Sequence, residues 1–293
     1  MGKVQRGMGV IIFLMVIASM LAGCGWASAA AFDEAREIGV VSREDGSGTR
    51  GAFIELFGIE VRNDDGTRKD MTTKEAVIAN QTNVMMTNIA GNMYGIGYIS
   101  LGSLNQTVKA ADIGGVKATV ENVKNGTYPI SRPFIIATKG EPSGLAKDFI
   151  GFILSREGQE VVSQGYIAVD ESAPAYSGGK PAGKIVVGGS SSVTPVMERL
   201  KEAYIAVNPG AAVEIQQSDS SAGLKDAVNG ICDIAMSSRE LRDSELEQLS
   251  PIQIALDGIA VIVNNQNPTS NLTQDQVKAI FTGETTRWND LAR

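Results

Sequence analysis

Four stretches of this chain set hydroxyl-bearing residues, most with glycine, in a turn: Arg43 to Thr49, Gly188 to Thr194, Ser218 to Gly223, and Ser237-Ser238. Each follows a short apolar run that reads as a strand and precedes a pattern that reads as a helix. A helix start leaves its first backbone N–H groups without intrahelical partners, and these carry partial positive charge. Ser and Thr hydroxyls add donors, and Gly lets the backbone close on a ligand, so such a turn is a cradle for an anion. Ser and Thr are also common N-caps, so a single turn of this kind is more often only a helix start. Four together, one with Arg43 beside two glycines, point to an oxyanion or a carboxylate enclosed by neutral donors. Arg43 then supplies one full charge and a bidentate fork.

Several other chemistries are closed. The 293 residues include no histidine, so no Ser–His–Asp triad, Cys–His pair or His-ligated zinc site can form. Cys24 and Cys232 are the only cysteines, too few for a four-Cys metal site. They stand in different contexts, so no disulfide is expected, and Cys232 reads as a buried free thiol. No metal or cofactor is expected. No Walker A motif and no correctly placed Gly-x-Gly-x-x-Gly can be read, and no spacing favours a Lys-activated nucleophilic Ser. The net charge of −7 makes nucleic acid and anionic membrane surfaces poor partners, yet local dipoles can hold a small anion on an acidic protein.

The elements that must position these turns begin after an address. Lys3 and Arg6 form a positive n-region, and Val10 to Ala22 an apolar core too short for a comfortable membrane span. The core runs into Leu21-Ala22-Gly23-Cys24, which resembles the bacterial lipobox, in which the Cys is lipidated and becomes the mature N-terminus. Residues 1–23 are then a lipoprotein signal peptide and 24–31 a tether, and loss of Lys3 and Arg6 takes the net charge from −7 to about −9. Beyond the tether, strands are read at Ile38–Val41, Gly95–Ile99, Phe134–Ala137, Lys184–Val187, Val213–Ile215 and Ile259–Val263. Helices are read after Thr49, over Ala146–Leu154, from Thr194 with Pro195 at its first position, after Gly223, after Ser238 and over Thr273–Phe281. Glu171 to Gly183, rich in Pro, Gly and Ser, reads as a surface linker. The alternation argues for an α/β protein with largely parallel sheets.

Eight strings resemble the signature loops of phosphate-binding proteins of the Pst-type ABC transporter: SREDGSGTR from Ser42, GGSSSVTP from Gly188, SDSSAGLK from Ser218, DIAMSSREL from Asp233, ALDGIAVIVN from Ala255, IFTGETTRWNDL from Ile280, YGIGYISLG from Tyr94 and NGTYPISRPF from Asn125. The resemblance covers essentially everything from Ile38 to Leu291, but in an unexpected order. The family's second half, about 38–169, precedes its first half, about 184–291. The resemblance therefore implies a circularly permuted, two-lobed Venus-flytrap fold of the periplasmic-binding-protein type. Segment 171–183 would join the ancestral ends. One lobe would comprise 32–127 plus 257–293 and the other 128–256.

Carried over by resemblance, the phosphate ligands are Arg43, Ser47, Gly48 and Thr49 in one loop, Ser192 and the Val193 amide in a second, and Ser220 in a third. Asp45 would hold the Arg43 guanidinium. Ser238 stands where some members have an Asp that accepts the proton of bound phosphate, which loosens the usual reasoning for phosphate over sulfate. The resemblance further implies inorganic phosphate as ligand, ABC permease subunits as partners, a lipid anchor at Cys24, an extracytoplasmic location, no enzymatic activity and a monomer. The alternatives are a sensing or adhesion module of the same fold, or an exported phosphatase.

Overall fold

The computed structural model describes residues 31–63 and 68–292. The signal peptide, Cys24 and most of the tether lie outside the described residues.

In chain order, β1 (Gly39–Arg43) runs into α1 (Gly48–Leu56), followed by β2 (Glu60–Arg62), β3 (Arg68–Asp70), β4 (Val77–Ala79), α2 (Thr82–Gly91), β5 (Gly95–Ser100), β6 (Lys109–Ala110) and β7 (Asp112–Ile113). Then come α3 (Val120–Lys124), β8 (Ser131–Thr138), α4 (Gly144–Ile153), α5 (Arg156–Val162) and β9 (Ile167–Ala168). The remainder is β10 (Gly183–Ser190), α6 (Thr194–Val207), β11 (Ala211–Ser218), α7 (Ser220–Val228), β12 (Ile234–Ser237), α8 (Asp243–Leu246), β13 (Ser250–Val263), β14 (Asn271–Leu272) and α9 (Gln274–Thr282).

The main strands lie in the order β11-β10-β12-β8-β13-β5-β1-β4. Pairing is parallel for β10 with β11 and β12, and for β1 with β4 and β5. It is antiparallel wherever β8 or β13 takes part. The arrangement is therefore mixed rather than largely parallel, because β8 and β13, which link the halves, each run antiparallel to both of their neighbours. The 14-residue β13 serves both lobes: Ser250 to Gly258 pair with β8, while Ile259 to Val263 pair with β5. The chain also crosses between lobes just before β8. The two crossings are tied together, since Ile259 N–H donates to Ile130 O at 2.8 Å and Tyr128 Oη to Ile259 O at 2.8 Å.

Each lobe has its own apolar core. Phe134, Phe149, Phe152, Val187, Val196, Leu200 and Tyr204 fill one. In the other, Phe53 of α1 stacks on Tyr98 of β5 at 3.8 Å between ring centroids, and Phe281 of α9 meets Phe53 edge-on at 4.7 Å. Burying such rings fixes how α1 leaves β1, and hence where its first turn points.

Segment 171–183 is more than a tether. Tyr176 packs edge-on against Phe152, its hydroxyl donates to Asp148 Oδ2 at 2.5 Å, and Gly179 N–H donates to Asp148 Oδ1 at 2.8 Å. Composition suggested a linker because Pro and Gly outnumber the one aromatic, yet that aromatic docks the segment. It joins β9 to β10, both in the same sheet. At the other ends of the fold, Glu37 bridges to Arg287, and Asn289 N–H donates to Glu34 O at 2.8 Å, so the first and last described segments are adjacent.

Candidate functional site

Buried β1 ends on Arg43, whose residue is only 1% exposed. The chain then turns through Glu44, Asp45 and Gly46 to Ser47, the N-cap of α1, whose hydroxyl accepts from Arg50 N–H at 3.3 Å. The carboxylate that holds Arg43 is Glu44, not Asp45. Glu44 accepts from Nε at 2.8 Å and from Nη2 at 2.7 Å, a fork-to-fork pair. Asp45 points outward, 97% exposed, and pairs with Arg50 at 2.9 Å. Adjacent positions on a turn face opposite ways, which spacing alone did not resolve. With one edge of the guanidinium taken by Glu44, the other faces the opposite lobe. There Nη2 donates to Ser191 Oγ at 3.0 Å, while Nη1 lies 3.5 Å from Thr82 Oγ1 of its own lobe. Behind the loop, Tyr98 Oη accepts from Arg43 N–H at 3.1 Å and bonds Ser42 Oγ at 2.8 Å. Burial raises the Tyr98 phenol above its ordinary range, so it remains a neutral orienting group.

The second lobe delivers three loops to the same place. β10 ends at Ser190, and Ser191 and Ser192 follow before α6. β11 leads to Asp219, which caps α7 by accepting Ala222 N–H at 2.8 Å and sets Ser220 at the helix start. β12 brings Ser237 and Ser238. Ser190 Oγ donates to Ser238 Oγ at 2.9 Å, Ser238 N–H donates to Ser220 Oγ at 3.1 Å, and the Ser220 and Ser238 hydroxyls lie 3.4 Å apart. The expected helix directly after Ser238 is absent; α8 begins at Asp243, because Ser237 Oγ donates to Arg239 O at 2.9 Å and stabilises a turn instead. The Val193 N–H, expected to face the ligand, donates to Ser190 O at 3.1 Å within its own turn. Ser192 N–H, in turn, donates to Ser190 Oγ at 3.3 Å.

The two sets meet directly. Thr49 Oγ1 and Ser192 Oγ are 2.7 Å apart, Thr82 Oγ1 is 3.4 Å from both Ser191 and Ser192 Oγ, and Ser221 N–H donates to Gly46 O at 3.2 Å. Glycine is required here by approach rather than by φ. A Cβ on Gly48 would sit 2.5 Å from Ser220 Oγ and 2.7 Å from Ser238 Oγ, and one on Gly46 would overlap the Asp219 carboxylate.

The structure thus brings together Arg43, Gly48, Thr49, Ser192, Ser220 and Ser238, with Ser47 capping the loop. It adds Glu44, Thr82, Ser190 and Ser191. Thr82, at the start of α2, carried no signal beyond a polar Asn-Gln-Thr after a short strand. Every site hydroxyl can donate or accept, so the cluster can wrap a small oxyanion without carrying net charge. Among the described residues, none of these hydroxyls bonds a carboxylate, and no group of three His, Cys, Asp or Glu could hold a metal. Beside the cluster opens a cleft of about 300 Å³, lined by Thr82, Asn83, Met86, Ser103, Ser191, Pro195 and Gln217.

Strand–turn–helix loops from two lobes converging on one buried cluster define a binding protein, and comparison with known proteins agrees. The family model described as a PBP superfamily domain matches residues 20–157 and 174–293. Phosphate-binding protein PstS 2 of Streptococcus agalactiae is 52% identical over 277 residues, 94% of each chain. A phosphate-binding protein of a phosphate ABC transporter from Streptococcus pneumoniae, solved by crystallography, aligns with TM-score 0.69 and 44% identity, covering 87% of this chain and 99% of that one. Phosphate-binding protein PstS of Bacillus subtilis is 35% identical over 141 residues, 46% of this chain and 43% of its own. The chain therefore belongs to the PBP superfamily, and within it to the PstS proteins.

Proposed function

We propose that this chain is an extracytoplasmic solute-binding receptor that captures inorganic phosphate and hands it to the permease of an ABC transporter, without catalysing a reaction. One observation carries the reading: the free edge of a buried, Glu44-clamped Arg43 faces hydroxyls from both lobes, with Thr49 and Ser192 in contact. A tetrahedral oxyanion placed there would replace hydroxyl–hydroxyl contacts by hydroxyl–anion bonds and take an end-on pair from the guanidinium. Relatives named for phosphate binding, 52% and 44% identical, support phosphate among the oxyanions. Ser238, in place of an acidic acceptor, accepts through its oxygen a hydrogen bond from the proton of bound phosphate.

The receptor is tethered through a lipid on Cys24 and acts as a monomer. Its lobes are 32–127 plus 257–293, and 128–256. The permuted order is supported by the adjacency of Glu34–Glu37 to Arg287–Asn289 and by the docking of 171–183 within one sheet. It is also in keeping with a Bacillus subtilis relative that aligns over less than half of either chain, since a collinear alignment can follow only one half at a time. Calorimetric titration of residues 32–293 tests the function. One phosphate per chain with much weaker sulfate binding is expected; equal heats and affinities for the two anions would reject phosphate as the selected ligand.

A further inference from the structure

Arg132 and Asp257 form an ion pair whose side chains are 2% and 1% exposed, with Nη2 and Oδ2 3.2 Å apart. They face each other in the β8–β13 ladder, one residue before β13 leaves the sheet of one lobe for that of the other. Asp257 uses both oxygens, and its partners come from both lobes. Oδ2 takes Arg132, while Oδ1 accepts from Ser100 Oγ at 2.9 Å and lies 3.4 Å from Gly102 N–H. Arg132 in turn sends Nη1 to the carbonyl oxygen of Ser238 at 3.1 Å. An unbroken line of hydrogen bonds thus runs from Ser100, through the crossing point, to a loop of the anion site. There Ser238 holds Ser190 and Ser220.

Such a pair is a poor device for stability. Removing two charges from water costs about as much as their attraction returns, and an apolar pair often serves as well. Arg132 Nε, moreover, is buried with no hydrogen-bond partner. What the pair does supply is geometry: a planar fork fixes the direction of the Ser238 peptide, and a carboxylate with two acceptors ties that fork to the other lobe. We propose that Asp257 and Arg132 are a positioning couple at the lobe crossing that sets Ser238 in the anion site, so that a pair touching no ligand governs anion affinity. Burial also raises the Asp257 carboxyl to about 6 despite Arg132, in keeping with a pair retained for position rather than stability.

This proposal rests on the phosphate reading, and its test separates the two. Arg132→Met/Asp257→Asn leaves no uncompensated buried charge and keeps an oxygen for Ser100, but it deletes the bond to Ser238. The double variant should melt at or above the wild-type temperature, bind phosphate at least ~10-fold more weakly by calorimetry, and exchange the Ser238 amide faster in ligand-free protein, because its bond to Ser220 is loosened. Ser100→Ala, which leaves both charges in place and removes one anchor of Asp257, should speed the same exchange to a smaller extent and serves if the double variant does not fold. Wild-type affinity together with wild-type exchange at Ser238 would overturn the couple. A wild-type chain that binds no phosphate would reject the phosphate reading alone, and exchange at Ser238 would still decide the couple.

Discussion

The two faces of the proposed anion site are made of different materials. On one side Arg43 brings a full charge, already clamped by Glu44 and backed by Tyr98. On the other, Ser190, Ser192, Ser220 and Ser238 bring no charge, only hydroxyls and amides bonded to one another, and Ser191 brings a hydroxyl that meets Arg43. The charged face is pre-organised within one lobe. A buried guanidinium without Glu44 would carry a heavy desolvation cost, so the pair makes Arg43 tolerable while leaving an edge for a ligand. The neutral face gains its contacts with Thr49 and Gly46 only when the lobes meet. Affinity should therefore depend most on the charged face, and closure and selectivity on the neutral one.

The largest expected effect tests the charged face. Arg43→Ala removes two charge-assisted contacts of ~1.5–3 kcal/mol each, so phosphate binding should weaken by ~100-fold or more in calorimetry. Arg43→Lys should recover only part, because a point charge cannot replace an edge. Asp45→Asn, on an exposed partner of Arg50, should leave affinity unchanged. A loss at Asp45 comparable to that at Arg43 would mean that Glu44 is not the clamp.

The next effect tests the meeting of the faces. Gly48→Ala forces a methyl into the space of the Ser220 and Ser238 hydroxyls, so binding should weaken by ~10-fold with the melting temperature little changed, since the clash arises only on closure. Normal binding by this variant would show that these loops need not close on the ligand. Ser192→Ala removes one neutral donor of ~0.5–1.5 kcal/mol and should cost only a few-fold in affinity.

The last effect lies away from both faces and falls on stability rather than on affinity. Burial raises Asp257 from its ordinary 3.8 to about 6, so between those values the folded chain keeps a proton that the unfolded chain has released. The stability this group contributes is fully present below about pH 4 and lost as pH rises through about 6. In urea melts, the wild-type advantage over Asp257→Asn should shrink across that window and then level off. A difference independent of pH would mean that Asp257 does not titrate there.

Much of this was legible in the chain because the signals were local. A strand, a Ser/Gly turn and a helix lie within a dozen residues at Arg43, Ser192 and Ser220, and their hydroxyls fall where helix starts put them. What escaped notice depends on contacts distant in sequence. Glu44 and Asp45 are neighbours with opposite fates, decided by which side of the turn faces the Arg43 guanidinium. Thr82 matters only because α2 starts 3.4 Å from Ser191, 109 residues away. The strand read at Ile259–Val263 extends back to Ser250, since its first half pairs with β8 rather than β5. Tyr176 docks segment 171–183 against side chains that composition could not place beside it.

The most direct test of the central claim is a crystal structure of residues 32–293 with inorganic phosphate. The phosphorus should lie between the lobes, with phosphate oxygens within about 3.2 Å of Arg43 Nη1 and Nη2 and of the Thr49, Ser192 and Ser220 hydroxyls. The direct 2.7 Å contact between Thr49 and Ser192 should then be broken by the anion. Phosphate bound elsewhere, with that contact intact, would contradict the account.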